Sequence, residues 1–165
     1  MVKRIPLTQG KYAIVDDEDY EQVNQYKWLA QRKGPNWYAS RQTGGRLNQR
    51  TIYLHRFILY APSGVLVDHK NGDGLDCRRA NMRLCNRAQN GQNRGFNCNN
   101  KSGLKGVAWS KIANRWVAQI MVDGKRHHLG YFTSPEDAAL AYDEAARKYH
   151  GKFAWVNFPI TGKVE

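Results

Sequence analysis

The C-terminal third of the chain carries the pattern that most restricts its fold. Three segments alternate between apolar and polar residues as strands do: residues 106–109, 116–122 and 126–132. Asp123-Gly124, between the second and third segments, is a strong hairpin signal. Ser134 is positioned to cap a helix that has Pro135 at its first position, and Gly151 is positioned to end it. The pattern predicts a three-stranded antiparallel sheet packed on one helix.

The first two thirds of the chain are organised differently. Short β-branched and aromatic segments between turn signals predict a small strand-rich module over residues 1–50. Next, an apolar segment at 65–67 runs directly into Asp68-His69, and a turn-rich stretch, a strand at 81–85 and a polar helix at 87–94 follow. Residues 97–103 have the composition of a linker. We therefore expect an α+β fold in three parts, residues 1–50, 51–100 and 101–165.

The chemical argument depends on Asp68 and His69, at the end of an apolar strand. Hydrolysis of a phosphodiester needs a base that activates water and a divalent cation that stabilises charge on the phosphate oxygens. A neutral His suits the first task, and Asp or Asn oxygens suit Mg²⁺ or Mn²⁺. Asn90 could supply a second oxygen ligand, and Asn81 could hold the loop that carries His69. Taken alone, however, an Asp-His pair is usually a surface pair, and Asn-rich loops are usually turns.

Four segments in order carry a more specific pattern: residues 54–56 (LHR), 67–73 (VDHKNGD), 76–83 (DCRRANMR) and 89–93 (QNGQN). Over about residues 50–95 the chain resembles the HNH homing endonucleases, a family with the ββα-metal fold. The resemblance implies that Asp68 and Asn90 bind one divalent cation, Mg²⁺ or Mn²⁺, and that His69 is the general base. It also implies that Asn81 orients the histidine. Two further residues match the pattern as accessory residues: His55 and Asn93.

The cysteines allow one alternative site. A structural zinc could be held by Cys77, Cys85 and Cys98 with a histidine, but their spacings fit no common zinc-ligand pattern. Free thiols in a reducing cytoplasm are favoured instead, because no apolar leader follows Met1. No apolar run approaches membrane-spanning length either. We therefore expect a cytoplasmic protein and not a membrane protein.

The net charge of +12 at pH 7 over 165 residues favours a polyanionic partner, and nucleic acid is the usual one. The charge is unevenly spread, since an acidic block occupies residues 16–21 and the basic surplus lies between residues 76 and 130. We expect the basic segments to face phosphates. In the N-terminal module, four basic side chains either touch the DNA backbone or form a solvated face: Lys33, Arg41, Arg46 and Arg50.

A second specific string lies at residues 103–107, 115–120, 128–132, 136–143 and 156–159. It resembles the plant ethylene-response-factor type of DNA-binding domain, whose three-stranded sheet lies in the major groove. The strands are basic and the helix is acidic, so the sheet is the face expected to meet duplex DNA. The residues at or near the family's contact positions are Lys105, Trp109, Lys111, Arg115, Gln119, Arg126 and His128. Core packing is the alternative for Trp109, and arginines common in the family are replaced by Ala108 and Met121.

Together these patterns predict a metal-dependent, homing-type DNA endonuclease targeted by its C-terminal sheet. It would hydrolyse a phosphodiester to a 5′-phosphate and a 3′-hydroxyl. The alternative is a DNA-binding regulator with a relic nuclease site, and an RNA-binding module is disfavoured because no ribonucleoprotein-type aromatic motif is present. The resemblance implies a mobile genetic element of phage or bacterial origin. The sequence leaves open the target site, the choice between a nick and a double-strand break, and the choice between monomer and dimer.

Overall fold

The computed structural model describes residues 1–45, 47–96 and 99–159. Arg46, a candidate DNA-backbone contact, and Cys98, a candidate zinc ligand, lie outside the described residues, as does the start of the expected linker. Contacts along the backbone divide the chain into two units, residues 1–90 and 91–165.

The described part of the chain up to Asn93 contains seven strands and three α-helices. In order they are β1 (Val2–Pro6), β2 (Tyr12–Asp16), α1 (Asp17–Asn24), β3 (Leu29–Lys33), β4 (Asn36–Thr43), β5 (Arg50–Tyr53), α2 (Leu54–Ile58), β6 (Leu66–His69), β7 (Met82–Cys85) and α3 (Arg87–Asn93). The strands pair antiparallel as β1-β2, β3-β4-β5 and β6-β7. The predicted order of strand, loop, strand and helix is therefore found between residues 66 and 93.

One hydrophobic core in the first unit joins side chains from residues 1–50 to side chains from the segment that follows. Its buried members are Ile5, Ala13, Val15, Val23, Trp28, Ala39, Leu54, Ile58, Cys77 and Met82. The loop between β6 and β7 is also fastened to β2, because Ile14 N–H donates to Leu75 O and Cys77 N–H donates to Ile14 O, both at 2.8 Å. The N-terminal strands thus serve as the frame against which the loop after Asp68-His69 is held.

The acidic block at residues 16–21 makes ion pairs within the same unit. Asp16, Glu18 and Asp19 bring their carboxylates within 4.8 Å of one another, and the Arg79 side chain lies among them. Its guanidinium pairs with Asp19 at 2.6 Å and with Glu18 at 3.1 Å, while its backbone N–H donates to Asp16 at 2.7 Å. Since Arg79 already bonds to all three carboxylates, we interpret the cluster as an ion-pair network that holds α1 to the β6–β7 loop.

The second unit has the predicted three-stranded sheet and helix. The strands β8 (Val107–Ser110), β9 (Arg115–Val122) and β10 (Lys125–Phe132) pair antiparallel in the order β10-β9-β8, and α4 (Pro135–His150) packs on them. Asp123 and Gly124 have φ of 50° and 75°, as a tight hairpin turn between β9 and β10 requires. Ser134 Oγ accepts the Asp137 N–H at 3.0 Å, which confirms the predicted cap.

Two features lock the helix to the start of this sheet. Gly106 has φ of 77°, and a β-carbon there would overlap the Tyr142 ring, so only glycine allows this close approach. Asp143 is fully buried and accepts hydrogen bonds from Asn157 N–H at 2.7 Å and Phe158 N–H at 2.8 Å. The buried carboxylate therefore holds the C-terminal segment beside α4.

Three elements were not predicted from the sequence: β1, β3 and α2. The strand-rich N-terminal module also contains the helix α1, which runs from Asp17 to Asn24. None of the helices in the described ranges has the length and apolar character needed to cross a bilayer.

Candidate active site and basic sheet face

Asp68 and His69 end the strand β6 and are almost completely buried, with 5% and 6% of their surface exposed. Asp68 lies directly opposite Arg83 on β7. The carboxylate oxygen Oδ2 of Asp68 accepts from Arg83 Nε at 2.7 Å and lies 2.6 Å from Arg83 Nη2. This ion pair balances the buried charge and holds the carboxylate in one orientation.

Asn81 ties together the loop that follows His69. Its Oδ1 accepts the Asn71 N–H at 3.1 Å, and its Nδ2 donates to Asn71 Oδ1 at 3.0 Å and to Asp76 O at 2.9 Å. Its backbone carbonyl accepts the Lys70 N–H at 2.9 Å. These bonds hold the two residues after His69 in place.

The His69 ring belongs to an aromatic cluster with His55, Tyr38 and Tyr53. Its centroid lies 5.2 Å from His55 and 6.1 Å from Tyr38, while Tyr53 stacks on His55 at 5.5 Å. Burial, with a smaller contribution from the nearby His69, lowers the pKa of His55 to about 3. Burial also lowers the pKa of His69, although Asp68 and two further carboxylates partly oppose the shift. Burial thus favours the neutral form of both rings, and a neutral imidazole can accept a proton.

Tyr38 is a site residue that the sequence analysis missed. Besides contacting both histidine rings, it packs against Gly74 in the loop after His69, where a β-carbon would overlap the Tyr38 ring and the Trp37 carbonyl oxygen. The alternating strand segment at 37–40 is visible in the sequence. The register that turns Tyr38 toward His69 depends on pairing with β3 and β5, which the sequence does not show.

The helix α3 carries the two remaining predicted residues. Asn86 and Gln89 begin the helix with a reciprocal pair of hydrogen bonds, each from a backbone N–H to the other side chain at 2.9 Å. Asn90 is exposed and its side chain has no hydrogen bond to Asp68 among the described residues. Asn93 is the last residue of the helix and is partly buried.

The cysteines do not assemble a metal site among the described residues. Cys77 and Cys85 are buried free thiols, and burial raises the pKa of both. Within the described ranges, the side chains that lie close enough together to hold a metal ion are those of Asp16, Glu18 and Asp19. This acidic cluster contains neither cysteine nor histidine. Cys98 lies outside those ranges.

One face of the sheet in the second unit is turned away from α4. Side chains on the other face, among them Ala118, Ile120 and Leu129, pack with the helix. Register places Arg126 opposite Met121 and His128 opposite Gln119, so these four residues share the free face. Arg115 lies on the same face, opposite Ser110. Arg115, Arg126 and His128 are exposed, and this face carries four of the seven predicted DNA-binding residues.

The other three lie elsewhere. Trp109 pairs with Trp116 and contacts its ring edge-on at 5.2 Å, which puts Trp109 on the helix side of the sheet although 46% of it is exposed. Lys111 is exposed in the turn between β8 and β9. Lys105 precedes β8, and its ammonium donates to the Gln92 and Arg94 carbonyls.

Comparison with known proteins bears on both halves of the chain. The HNH endonuclease family matches residues 53–92, and the AP2 domain family matches residues 102–152. Nucleases of the HNH family generally use a divalent metal. Both matches agree with the resemblances drawn from the sequence.

Individual relatives agree. A protein described as an uncharacterized HNH endonuclease, L560, from Acanthamoeba polyphaga mimivirus is 30% identical over 156 residues, which is 90% of this chain and 76% of the relative. Protein 3.8 of Escherichia phage T7 is 34% identical over 56% of this chain and 76% of its own length. The dehydration-responsive element-binding protein 2E of Oryza sativa subsp. japonica is 46% identical, over 34% of this chain and 17% of its own length. The chain therefore belongs to the HNH endonuclease family and joins its nuclease segment to an AP2 domain.

Proposed function

We propose that this protein is a metal-dependent, homing-type DNA endonuclease that cuts a phosphodiester to leave a 5′-phosphate and a 3′-hydroxyl. Its parts are a strand-rich N-terminal module (residues 1–50), the nuclease core (51–100) and the DNA-binding domain (101–165). One observation carries the proposal. Asp68 and His69 are buried side by side, with the first held by Arg83 and the loop after the second held by Asn81.

The proposed base is His69. An imidazole nitrogen of His69 takes a proton from water, the water oxygen forms a bond to phosphorus, and the bond from phosphorus to the 3′ oxygen breaks. The 3′ oxygen then leaves as a hydroxyl after taking a proton from solvent. Burial favours the neutral form that this role needs, because it lowers the pKa of His69. Asn81 keeps the histidine loop in place, and the rings of His55 and Tyr38 limit the movement of the His69 ring.

Hard oxygen ligands fit a divalent cation, and the proposed ligands are the Asp68 carboxylate and the Asn90 amide oxygen. When bound, Mg²⁺ or Mn²⁺ stabilises the negative charge on the phosphate and on the leaving oxygen. Asp68 contributes a carboxylate already oriented by Arg83. Asn90 is exposed on α3, where substrate phosphate and solvent can reach it. Asn93, on the same helix, is proposed as accessory.

We propose that the free face of the C-terminal sheet brings the enzyme to duplex DNA. Arg115, Gln119, Arg126 and His128 share this face, and arginine carries a planar fork that suits guanine or a phosphate pair. The contact of Trp109 with Trp116 favours a packing role for Trp109. Lys111, exposed in the adjoining turn, is proposed to meet the DNA backbone.

The test is incubation of the whole chain with supercoiled plasmid and Mg²⁺, followed by separation of nicked, linear and supercoiled forms. One proposed site per chain predicts nicked product first. A matched Asp68→Asn variant should leave the plasmid supercoiled while still binding it. Binding by the unaltered chain with no cleavage under any divalent cation would instead support a DNA-binding regulator with a relic site.

A further inference from the structure

The helix α3 is short and lacks its own C-terminal stabilisation. It has seven residues, contains Gly91 and has no basic residue in its last turn. Glycine inside a helix costs about 1 kcal/mol relative to alanine, and the last carbonyls of any helix have no partner within the helix. The N-terminal end is different, because Asn86 and Gln89 cap it from within the local sequence. A partner for the C-terminal end must therefore come from outside the helix.

Lys105 supplies that partner. Its ammonium donates to the carbonyl oxygens of Gln92 and Arg94, at the end of α3 and just beyond it. All three residues belong to the second unit, which begins at Gly91. A positive charge at this end also interacts favourably with the helix dipole. Burial lowers the pKa of Lys105 to about 8, which agrees with an ammonium withdrawn from solvent.

Contacts with Trp155 and Asn157 hold Lys105 in this position. Its ammonium lies 5.7 Å from the centre of the Trp155 ring, and Phe96 packs edge-on against the same ring at 6.1 Å. The Lys105 backbone is bonded in both directions to Asn157, with N–H to Oδ1 at 2.7 Å and O to Nδ2 at 3.1 Å. Asn157 in turn donates to the buried Asp143.

We infer that Lys105 is a positioning residue for the nuclease helix and not a contact to DNA phosphate. Two of its three ammonium hydrogens are used by the helix end, and the half-buried ammonium lies beside the Trp155 ring. Asn90, the proposed metal ligand, lies two residues before Gln92 on the same short helix, so loss of the cap should fray the turn that carries it. The effect on cleavage rests on the proposed function, whereas the capping itself does not.

The experiment compares three variants of the whole chain: Lys105→Arg, Lys105→Met and Lys111→Met. Hydrogen exchange of peptides covering residues 86–96 reports on α3, and affinity for a random-sequence duplex at several salt concentrations reports on phosphate contacts. We expect α3 amides to exchange about 5–30-fold faster in both Lys105 variants, with an unchanged salt slope. Lys111→Met, as an exposed comparison, should lower the slope by about 0.9 and leave α3 protection unchanged.

Lys105→Arg separates the two roles most sharply. A phosphate contact tolerates arginine, but a planar guanidinium cannot reproduce the position of a single ammonium that lies between two carbonyls and beside the Trp155 ring. It also carries the test if Lys105→Met does not fold, since it keeps the charge. Wild-type α3 protection in Lys105→Arg, or a slope lowered by about 0.9 in Lys105→Met with α3 unchanged, would overturn the inference. Both readouts are independent of cleavage, so they test the cap even in a chain with no nuclease activity.

Discussion

The two units place their functional side chains in opposite environments. In the first, Asp68 and His69 are about 95% buried and held by neighbours. In the second, Arg115, Arg126 and His128 are exposed on the sheet face turned away from α4. A reacting group must be held in one geometry before the substrate arrives, whereas a group that meets DNA must keep its donors available. The comparison implies that changes at Asp68 and His69 should affect turnover and folding, and changes on the free face of the sheet should affect binding alone.

Removal of the cation should have the largest effect. With excess chelator we expect cleavage of supercoiled plasmid to stop. The bound cation would stabilise the charge on the leaving oxygen, and the proposed ligands Asp68 and Asn90 cannot do so without it. DNA binding, measured by gel shift, should persist since the sheet face contains no proposed ligand. Undiminished cleavage in chelator would refute the metal-dependent mechanism.

His69→Ala should lower the cleavage rate by about 10²–10⁴-fold while DNA affinity stays near that of the unaltered chain, because a base acts in the transition state. His127→Ala is a matched control, since His127 stacks on Tyr149 at the helix side of the second unit. Single-turnover rates and gel shifts measure the two quantities. Parallel loss of binding in His69→Ala would mean that the histidine has a structural role.

Arg83→Met should lower the free energy of unfolding by about 3–5 kcal/mol, because it leaves the Asp68 carboxylate buried without its ion-pair partner. Urea denaturation measures the change. The double variant Asp68→Asn with Arg83→Met removes the charge as well and should recover much of the stability without recovering cleavage. If the single and double variants were equally unstable, the unpaired charge of Asp68 could not explain the loss of stability in Arg83→Met.

The smallest effect should come from the sheet face. Arg126→Ala or Arg115→Ala should relax base preference at one position of the bound DNA, at a cost of about 1–3 kcal/mol. Selection from randomised duplexes, compared with Lys111→Ala as a control for a backbone contact, measures this. An unchanged preferred site in both arginine variants would mean that this face only positions the enzyme.

Much of the second unit was predictable because its signals are local. Asp123-Gly124 specifies a tight turn, Ser134 caps the next helix, and alternation along each strand separates the two faces. The ordered string around Asp68 and His69 likewise pointed to the family and to the strand that ends at this pair. Such signals involve residues close together in the chain, so they can be recognised without knowledge of the fold.

Only the tertiary structure decided which distant residues meet. Arg79 reaches an acidic block 60 residues away, Tyr38 turns toward His69, and Lys105 binds carbonyls at the end of α3 instead of facing outward. Trp109 likewise goes to the helix side only because β8 pairs with β9 in a register that sets it opposite Trp116. Register and long-range pairing depend on the packing of the whole unit, and a shift of one residue would turn each strand side chain to the other face. Residue types therefore determined the chemistry available to this protein, while packing decided which side chains hold the site and which are left to meet DNA.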